Sequence, residues 1–474
     1  MNEPLKDQAG FGRILKSLGP ALIVASVVLG PGSISTSSKV GAAHGFSMIW
    51  LLVLAVGLMM GMVALGARLG LVLKGSMCDE LAARLGRPFA ALIGITIFLI
   101  CAGFQFGNNI GVLIGLDPLF TTAKPAELAE AQFWQRICTV QNGVLLFLNF
   151  AIIGFLWGSR HLYKPVERLM MVLVGLMILA FFSNFAFLLI AGTPEATEEV
   201  TLVEQEAIAA ASENTPEATE EKTEEATPAK PAPNFDLIAL LGLVGTTFSV
   251  AGAFYQSYLV REKKWTLANF NQGIIDSVTG ISVLGLITLV IMLTAAISFH
   301  GRGIELKDAG DVARQLEPLF GSWALILFSC GIFAAAFSSF LVNAMIGGAM
   351  LADGFGFGGS MDGKATKLFT TLAMLIGLLV AVFIPSSDRV GLIVFAQAMV
   401  VIAFPLLAIS MLYLATRPDL IGQRRIPLWM KGVALVGSLV VVVSAIVSAN
   451  SLVEKLAGKS LVRILYDLID FISS

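Results

Sequence analysis

Two stretches of this chain have the residue types of a binding site built from backbone: Gly30-Pro31-Gly32-Ser33 and Ser249-Val250-Ala251-Gly252-Ala253. Each interrupts an apolar run near the start of one half of the sequence. Proline removes a backbone donor and fixes φ, and glycine lets backbone approach a ligand closely. At bilayer depth, groups freed this way are tolerable only where they line a site. A matched pair of interruptions points to the substrate site of a transporter. Ser33, Ser35, Thr36, Ser37 and Ser38 follow the first break, where hydroxyls and free N–H groups favour an anionic group or a lone pair. Neither break carries an ionisable side chain. Gly30, Gly32, Ser33, Ser249 and Ala251 are therefore candidate substrate contacts without fixed charge. The plainer reading is a glycine-kinked helix whose serines bond their own backbone.

Composition puts these breaks in membrane helices. The chain has 474 residues, of which 56% are hydrophobic and 14% charged, and its mean hydropathy is +0.84. That is far too apolar for a soluble domain. A net charge of −2 gives no case for a nucleic-acid partner. Cys78, Cys101, Cys138 and Cys330 show no C-x-x-C spacing, which argues against a disulfide framework or zinc site. No nucleophile–base pair or phosphate loop marks an enzyme, and no cofactor is implied. The first apolar run follows a polar, basic start and continues through its break, so it reads as a retained span.

A helix crosses the bilayer core with about 20 apolar residues. Such runs fall near 17–43, 47–73, 88–115, 138–158, 165–191, 235–260, 272–298, 321–351, 367–385, 390–415 and 430–449. They predict an all-α polytopic protein of about eleven spans. Spans one to five and six to ten would be inverted repeats with spans one and six broken, the leucine-transporter-type architecture. Lys and Arg gather on alternate connections, among them Arg84, Arg87, Arg160, Lys164, Arg168, Arg261 and Lys263. By the positive-inside rule the amino terminus is cytoplasmic, and an odd span count puts the carboxyl terminus outside, in a bacterial inner membrane.

The expected divisions are a cytoplasmic N-terminus (1–16), a first repeat (17–191), an acidic linker (192–234) and a second repeat (235–415). A cytoplasmic loop with the eleventh span (416–450) and an amphipathic tail (451–474) complete the chain. The linker repeats the heptad Thr193–Glu199 at Thr215–Glu221, and its Glu, Ala, Thr and Pro predict a disordered outer spacer. The alternative is an acidic antenna that concentrates cations. Trp50, Trp134, Trp323 and Trp429 fall near span ends and read as interfacial anchors.

Several motifs resemble the NRAMP family of metal-ion transporters. Leu18-Gly-Pro-Ala-Leu-Ile-Val-Ala and Leu29-Gly-Pro-Gly-Ser33 are similar to its first helix, and Leu243-Val-Gly-Thr-Thr247 through Gln256-Ser-Tyr-Leu259 to its sixth. Asp311-Val-Ala-Arg-Gln-Leu-Glu-Pro-Leu-Phe-Gly321 with Phe328-Ser-Cys-Gly-Ile-Phe-Ala-Ala-Ala-Phe-Ser-Ser339 looks like the approach to its eighth, and Phe395-Ala-Gln397 with Phe404-Pro405 like its tenth. The resemblance covers about residues 12 to 450 apart from the linker. It implies proton-linked uptake of divalent manganese or iron, and it adds Thr246 and Gln397 to the candidate contacts.

The chain departs from that pattern where ligands are expected. The family's first break reads Asp-Pro-Gly-Asn, with Asp and Asn as ligands; Gly30 and Ser33 stand there. The sixth-helix Met-Pro-His falls on Ser249, Val250 and Ala251, and the next family histidine on Gln256. An acidic pair tied to proton transfer falls on Gln105 and Asn108. Of the usual ligand set, Gln397 remains. Dehydrating a dication is costly and is normally offset by carboxylates. A thioether would favour transition metals, and amides do not exchange protons near neutral pH. Proton-coupled manganese or iron transport is therefore expected to be lost.

Three readings follow. A larger, wetter site would hold hydrated magnesium or a similar dication through Ser33, Ser249, Gln397 and backbone carbonyls. Alternatively, the half-helix N–H groups would hold the carboxylate of an amino acid or other small organic solute, oriented by Gln105, Asn108, Asn109 and Gln256. The third is a membrane sensor or scaffold that no longer transports. Asp276, an acid placed within a span, reads as a gate or ion relay, or as an interfacial anchor. The lipid bilayer and a small solute or ion are the implied partners; oligomeric state has no signature.

Overall fold

A computed structural model describes residues 20–116, 140–191, 237–302, 321–383, 404–421 and 426–457, with isolated positions between 306 and 317. Among the described residues all regular structure is helical. The part of the chain expected to form the first repeat contains α1 (Pro20–Val28), α2 (Pro31–His44), α3 (Ile49–Val72), α4 (Met77–Leu85), α5 (Arg87–Leu116), α6 (Val140–Gly158) and α7 (Tyr163–Ala191). The part expected to form the second contains α8 (Leu237–Thr247), α9 (Val250–Glu262), α10 (Phe270–Phe299), α11 (Ser322–Gly354) and α12 (Lys364–Phe383), then α13 (Phe404–Thr416). The short α14 (Pro418–Ile421) and the long α15 (Leu428–Ala457) follow.

Seven of these, α3, α5, α7, α10, α11, α12 and α15, are long and apolar enough to cross a membrane. The pair α1 and α2 counts as one further span, bent by 61°. The apolar α6 and α13 and the broken pair α8 and α9 follow the expected positions of spans four, ten and six. The number of eleven is not fixed, because residues 384–403, which include the first part of the expected tenth span with Gln397, lie outside the described residues. So do the acidic linker, Trp134, Cys138 and most of the tail.

One helix was not expected. Ser76 caps α4 by accepting from the Asp79 N–H at 3.0 Å, and Asp79 and Glu80 suit its first turn. At nine residues with an amphipathic pattern, it escapes a search for apolar runs. Helix α11 also continues past its expected end at 351 to Gly354, taking Asp353 into the helix.

The centre of the bundle is the pair α5 and α11. Added Cβ atoms at Gly94 and Gly354 would lie 2.6 Å and 2.7 Å from the carbonyl oxygens of Met350 and Ala90, so only glycine permits this backbone approach. The apolar stretch of α11 is 67% buried against 22% for α15, which places α15 at the periphery. The two breaks face each other in opposite senses. A Cβ on Gly252 of α9 would meet Val24 of α1, and one on Gly242 of α8 would meet Thr36 of α2, each at 3.0 Å.

Basic residues mark one end of the bundle and are tied down there. Arg84 pairs with Glu80 at 2.7 Å and with Asp419 at 2.9 Å, and Lys263 pairs with Glu167 at 2.9 Å. Arg261 donates to the Gly75 and Lys74 carbonyls, and Lys367 to the Ser159 carbonyl. Glu262 accepts from the Met361 N–H at 2.8 Å, and Asp362 from the Leu162 N–H at 2.9 Å. These bonds close that end.

Candidate substrate site

The first break follows from Pro31. Lacking an N–H, it leaves the Val27 carbonyl without its helical donor, and Gly30 takes an extended conformation with φ −104° and ψ 178°. The Gly30 N–H turns to the Val28 carbonyl at 3.0 Å, which frees the Ser26 carbonyl as well. Helix α11 supplies the missing donors. Ser339 donates to the Val27 carbonyl at 2.7 Å, and Ser338 to the Ser26 carbonyl at 3.0 Å. The Ser-Ser pair is thus the structural complement of the break.

On the other side of Gly30 runs a chain of amides. A Cβ there would meet Ser339 Oγ at 3.0 Å and Asn108 Oδ1 at 3.6 Å. Asn108 donates to Gln105 Oε1 at 3.0 Å, and Gln105 donates to the Phe340 carbonyl at 2.8 Å. Asn109 bonds the Gln105 carbonyl at 2.8 Å and accepts from Asn149 of α6 at 2.9 Å. All four amides are buried, so the network is rigid and uncharged. Asn149 carried no signal in the sequence beyond being polar in an apolar span.

The serines after the first break are mostly engaged with their own helix. Ser33 donates to the Gly30 carbonyl at 2.9 Å and Ser37 to the Ser33 carbonyl at 2.7 Å. Ser33 keeps its oxygen lone pairs but is only 3% exposed. Gly32, in contrast, is exposed, and nothing lies within 4 Å of a Cβ built there. The first turn of α2 therefore borders open space.

At the second break Ser249 is extended, with φ −80° and ψ 94°, and caps α9 by accepting from Gly252 at 3.4 Å. Ala251 is buried, and Thr247 Oγ1 is buried without a hydrogen-bond partner. Thr246 reaches across to the other repeat, its hydroxyl 3.2 Å from that of Thr36. Those two hydroxyls join α2 to α8 directly.

Asp276 sits at 0% exposure on α10, which removes the interfacial-anchor reading. It accepts from the Ala21 N–H at 2.9 Å and from Gln256 Nε2 at 3.4 Å. A carboxylate on a free N–H in the first turn of α1 is favoured by the helix dipole. One acid thus fastens α1, α9 and α10 together. Gln256 Oε1 remains buried without a partner.

Towards the basic end the second break continues into a packed aromatic cluster. Phe254, Tyr255 and Tyr258 are buried, and Tyr258 stacks on both of the others. Tyr258 donates to Asp353 Oδ2 at 2.6 Å and accepts from the Cys78 N–H of α4 at 3.4 Å. Sequence reading missed this contact because Asp353 lay beyond the expected end of its span. Burial, reinforced by the Asp353 carboxylate, pushes the Cys78 thiol well above the usual thiol range. Among the described residues no group of three His, Cys, Asp or Glu side chains is placed to hold a metal ion.

The structure thus brings Gly30, Gln105, Asn108 and Asn109 together, joins Thr246 to the first repeat, and links Gln256 to Asp276. Residues 21–451 match the sequence profile of the natural resistance-associated macrophage protein-like (Nramp) family. The chain belongs to the Nramp family. Similar Nramp-related proteins include the divalent metal cation transporter MntH of Deinococcus radiodurans, 24% identical over 424 residues, 87% of this chain and 84% of that protein. MntH of Pectobacterium carotovorum is 24% identical over 447 residues, 94% of this chain and 95% of its own. A manganese transporter from Eremococcus coleocola superposes with a TM-score of 0.70 at 16% identity, covering 99% of this chain and 94% of its own. MhsT in complex with L-phenylalanine superposes at 0.55 and 13% identity, covering 91% and 97%. The architecture is therefore the Nramp and leucine-transporter-type fold.

Proposed function

We propose that this Nramp protein is a secondary carrier of a divalent cation that keeps much of its water, magnesium or an ion like it, without obligatory proton coupling. The family and its MntH relatives support cation transport. One observation supports the atypical chemistry: the groups around the first break, Gly30, Ser33, Gln105, Asn108 and Ser339, are neutral oxygen and nitrogen donors. Neutral oxygens can bond a hydrated dication but cannot offset its full dehydration. With amides at 105, 108 and 256, the proton acceptors that the resemblance implies are absent. Ser249 and Gln397 complete the proposed contact set. The basic end is read as cytoplasmic, so the open space beside Gly32 is the outer approach and the Tyr258–Asp353 contact the inner closure.

The test is ion flux in liposomes containing purified protein. Saturable magnesium uptake without intravesicular acidification is the expected result. Robust manganese uptake with stoichiometric proton entry would overturn the proposal. One observation favours a second reading: the accessible first turn of α2 at Gly32 is an N-terminal half-helix suited to a substrate carboxylate. Sodium- or proton-driven amino-acid uptake in the same vesicles, with no cation flux, would select it.

A further inference from the structure

Three helices leave a groove on the flank of the bundle. It has a volume of about 350 Å³ and lies between α6, α7 and α11, walled by Ile152 and Phe155, Pro165 and Leu169, and Phe337 and Leu341. Its walls belong to apolar helices, two of them long enough to cross a membrane, and they offer water nothing to bond. In a bilayer such a groove is filled by hydrocarbon.

The rim decides what kind of molecule brings that hydrocarbon. Pro165 opens the groove at the basic end, beside the turn between α6 and α7. Arg160, Lys164 and Arg168 stand there, all exposed, and none has a hydrogen bond or ion pair among the described residues. Their neighbours Arg84, Arg261, Lys263 and Lys367 are bonded to protein groups. Lys164 and Arg168 are four residues apart on α7, and the groove-lining Pro165 and Leu169 form the next row. A cationic row thus runs beside an apolar one.

We propose that this groove is a binding site for an anionic phospholipid, one acyl chain lying against Phe337 and Leu341 and the headgroup phosphate held by Arg160, Lys164 and Arg168. Basic pockets between membrane helices select anionic headgroups electrostatically, and arginine adds planar, bidentate donors for phosphate oxygens. The site has a bearing on the breaks. Phe337 and Leu341 bracket Ser338, Ser339 and Phe340, which bond the Ser26 and Val27 carbonyls and Gln105. A chain in the groove would brace α11 from behind while its other face holds the first break.

Native mass spectrometry of the full chain with equal amounts of phosphatidylglycerol and phosphatidylcholine tests the assignment. The wild type should retain phosphatidylglycerol about tenfold over phosphatidylcholine. The exposed triple variant R160A/K164A/R168A should lose that preference with an unchanged melting temperature. Ala151→Trp, which fills the groove, should reduce retention of both lipids. Equal retention by the wild type, or a preference that survives the triple variant, would overturn the headgroup site. Undiminished retention in Ala151→Trp would overturn the placement of the acyl chain.

Discussion

Ser339 bonds the carbonyl that Pro31 orphans and also lies against Gly30. Ser339→Ala should therefore leave the Val27 carbonyl unpaired and cost about 1–3 kcal/mol. Ser338→Ala should cost less, since the single Ser338 proton is shared between the Ser26 and Ala335 carbonyls, each at 3.0 Å. Thermal melts in detergent decide the order. The buried amides make a second prediction. Flux should be nearly flat over roughly pH 6–8 as far as positions 105, 108 and 256 are concerned, because amides do not titrate there. Gln105→Glu should introduce a pH dependence in vesicle uptake; a flat profile in that variant would place the amide chain away from the transport path. Much of this was legible from residue types. Gly30-Pro31-Gly32 announced the break, but residue types alone left open whether Ser33 faces a ligand or bonds its own backbone, and the coordinates show it donating to the Gly30 carbonyl.

At the scale of elements, many polar contacts tie the two halves of the chain together, among them Asp276 to the Ala21 N–H, Ser339 to the Val27 carbonyl and Gln105 to the Phe340 carbonyl. The Thr36–Thr246 hydroxyl pair is one of them. A double-mutant cycle with Thr36→Val and Thr246→Val should give a coupling of about 0.6 kcal/mol, the scale of interhelical hydrogen bonds in membranes. A coupling of zero would mean that α2 and α8 are held by packing alone. Apolar run lengths located the spans closely, since hydrocarbon thickness fixes helix length. They could not find α4, which meets no such requirement, or show that Asp276 reaches the start of α1. Tertiary bonds between residues 255 positions apart leave no periodicity to read.

For the whole molecule, closure at the basic end can be followed through Cys78. The buried thiol is held protonated, so maleimide modification at neutral pH should be slow. Tyr258→Phe removes the hydroxyl joining α9, α11 and α4 and should speed modification several-fold. Unchanged labelling would show that the seal lies elsewhere. The Arg84–Asp419 pair responds to pH. Its hydrogen bond to Arg84 holds the Asp419 carboxyl below the usual carboxylate range and raises the Arg84 guanidinium. A depressed acid contributes stability above its unfolded pKa, about 3.9, and loses it as pH falls through the folded value. Asp419→Asn should therefore lower the melting temperature slightly at neutral pH and not at all in strong acid, with the difference shrinking in high salt.

The closeness of Ser339 to Gly30 also bears on which substitutions the break can accept. A Cβ at position 30 would sit 3.0 Å from the Ser339 hydroxyl, which would have to give by a few tenths of an ångström while still holding the Val27 carbonyl. The side chain tolerated at position 30 is thus coupled to the residue at position 339 on a different helix. A substitution at either position is therefore felt at the other, and the two are expected to vary together.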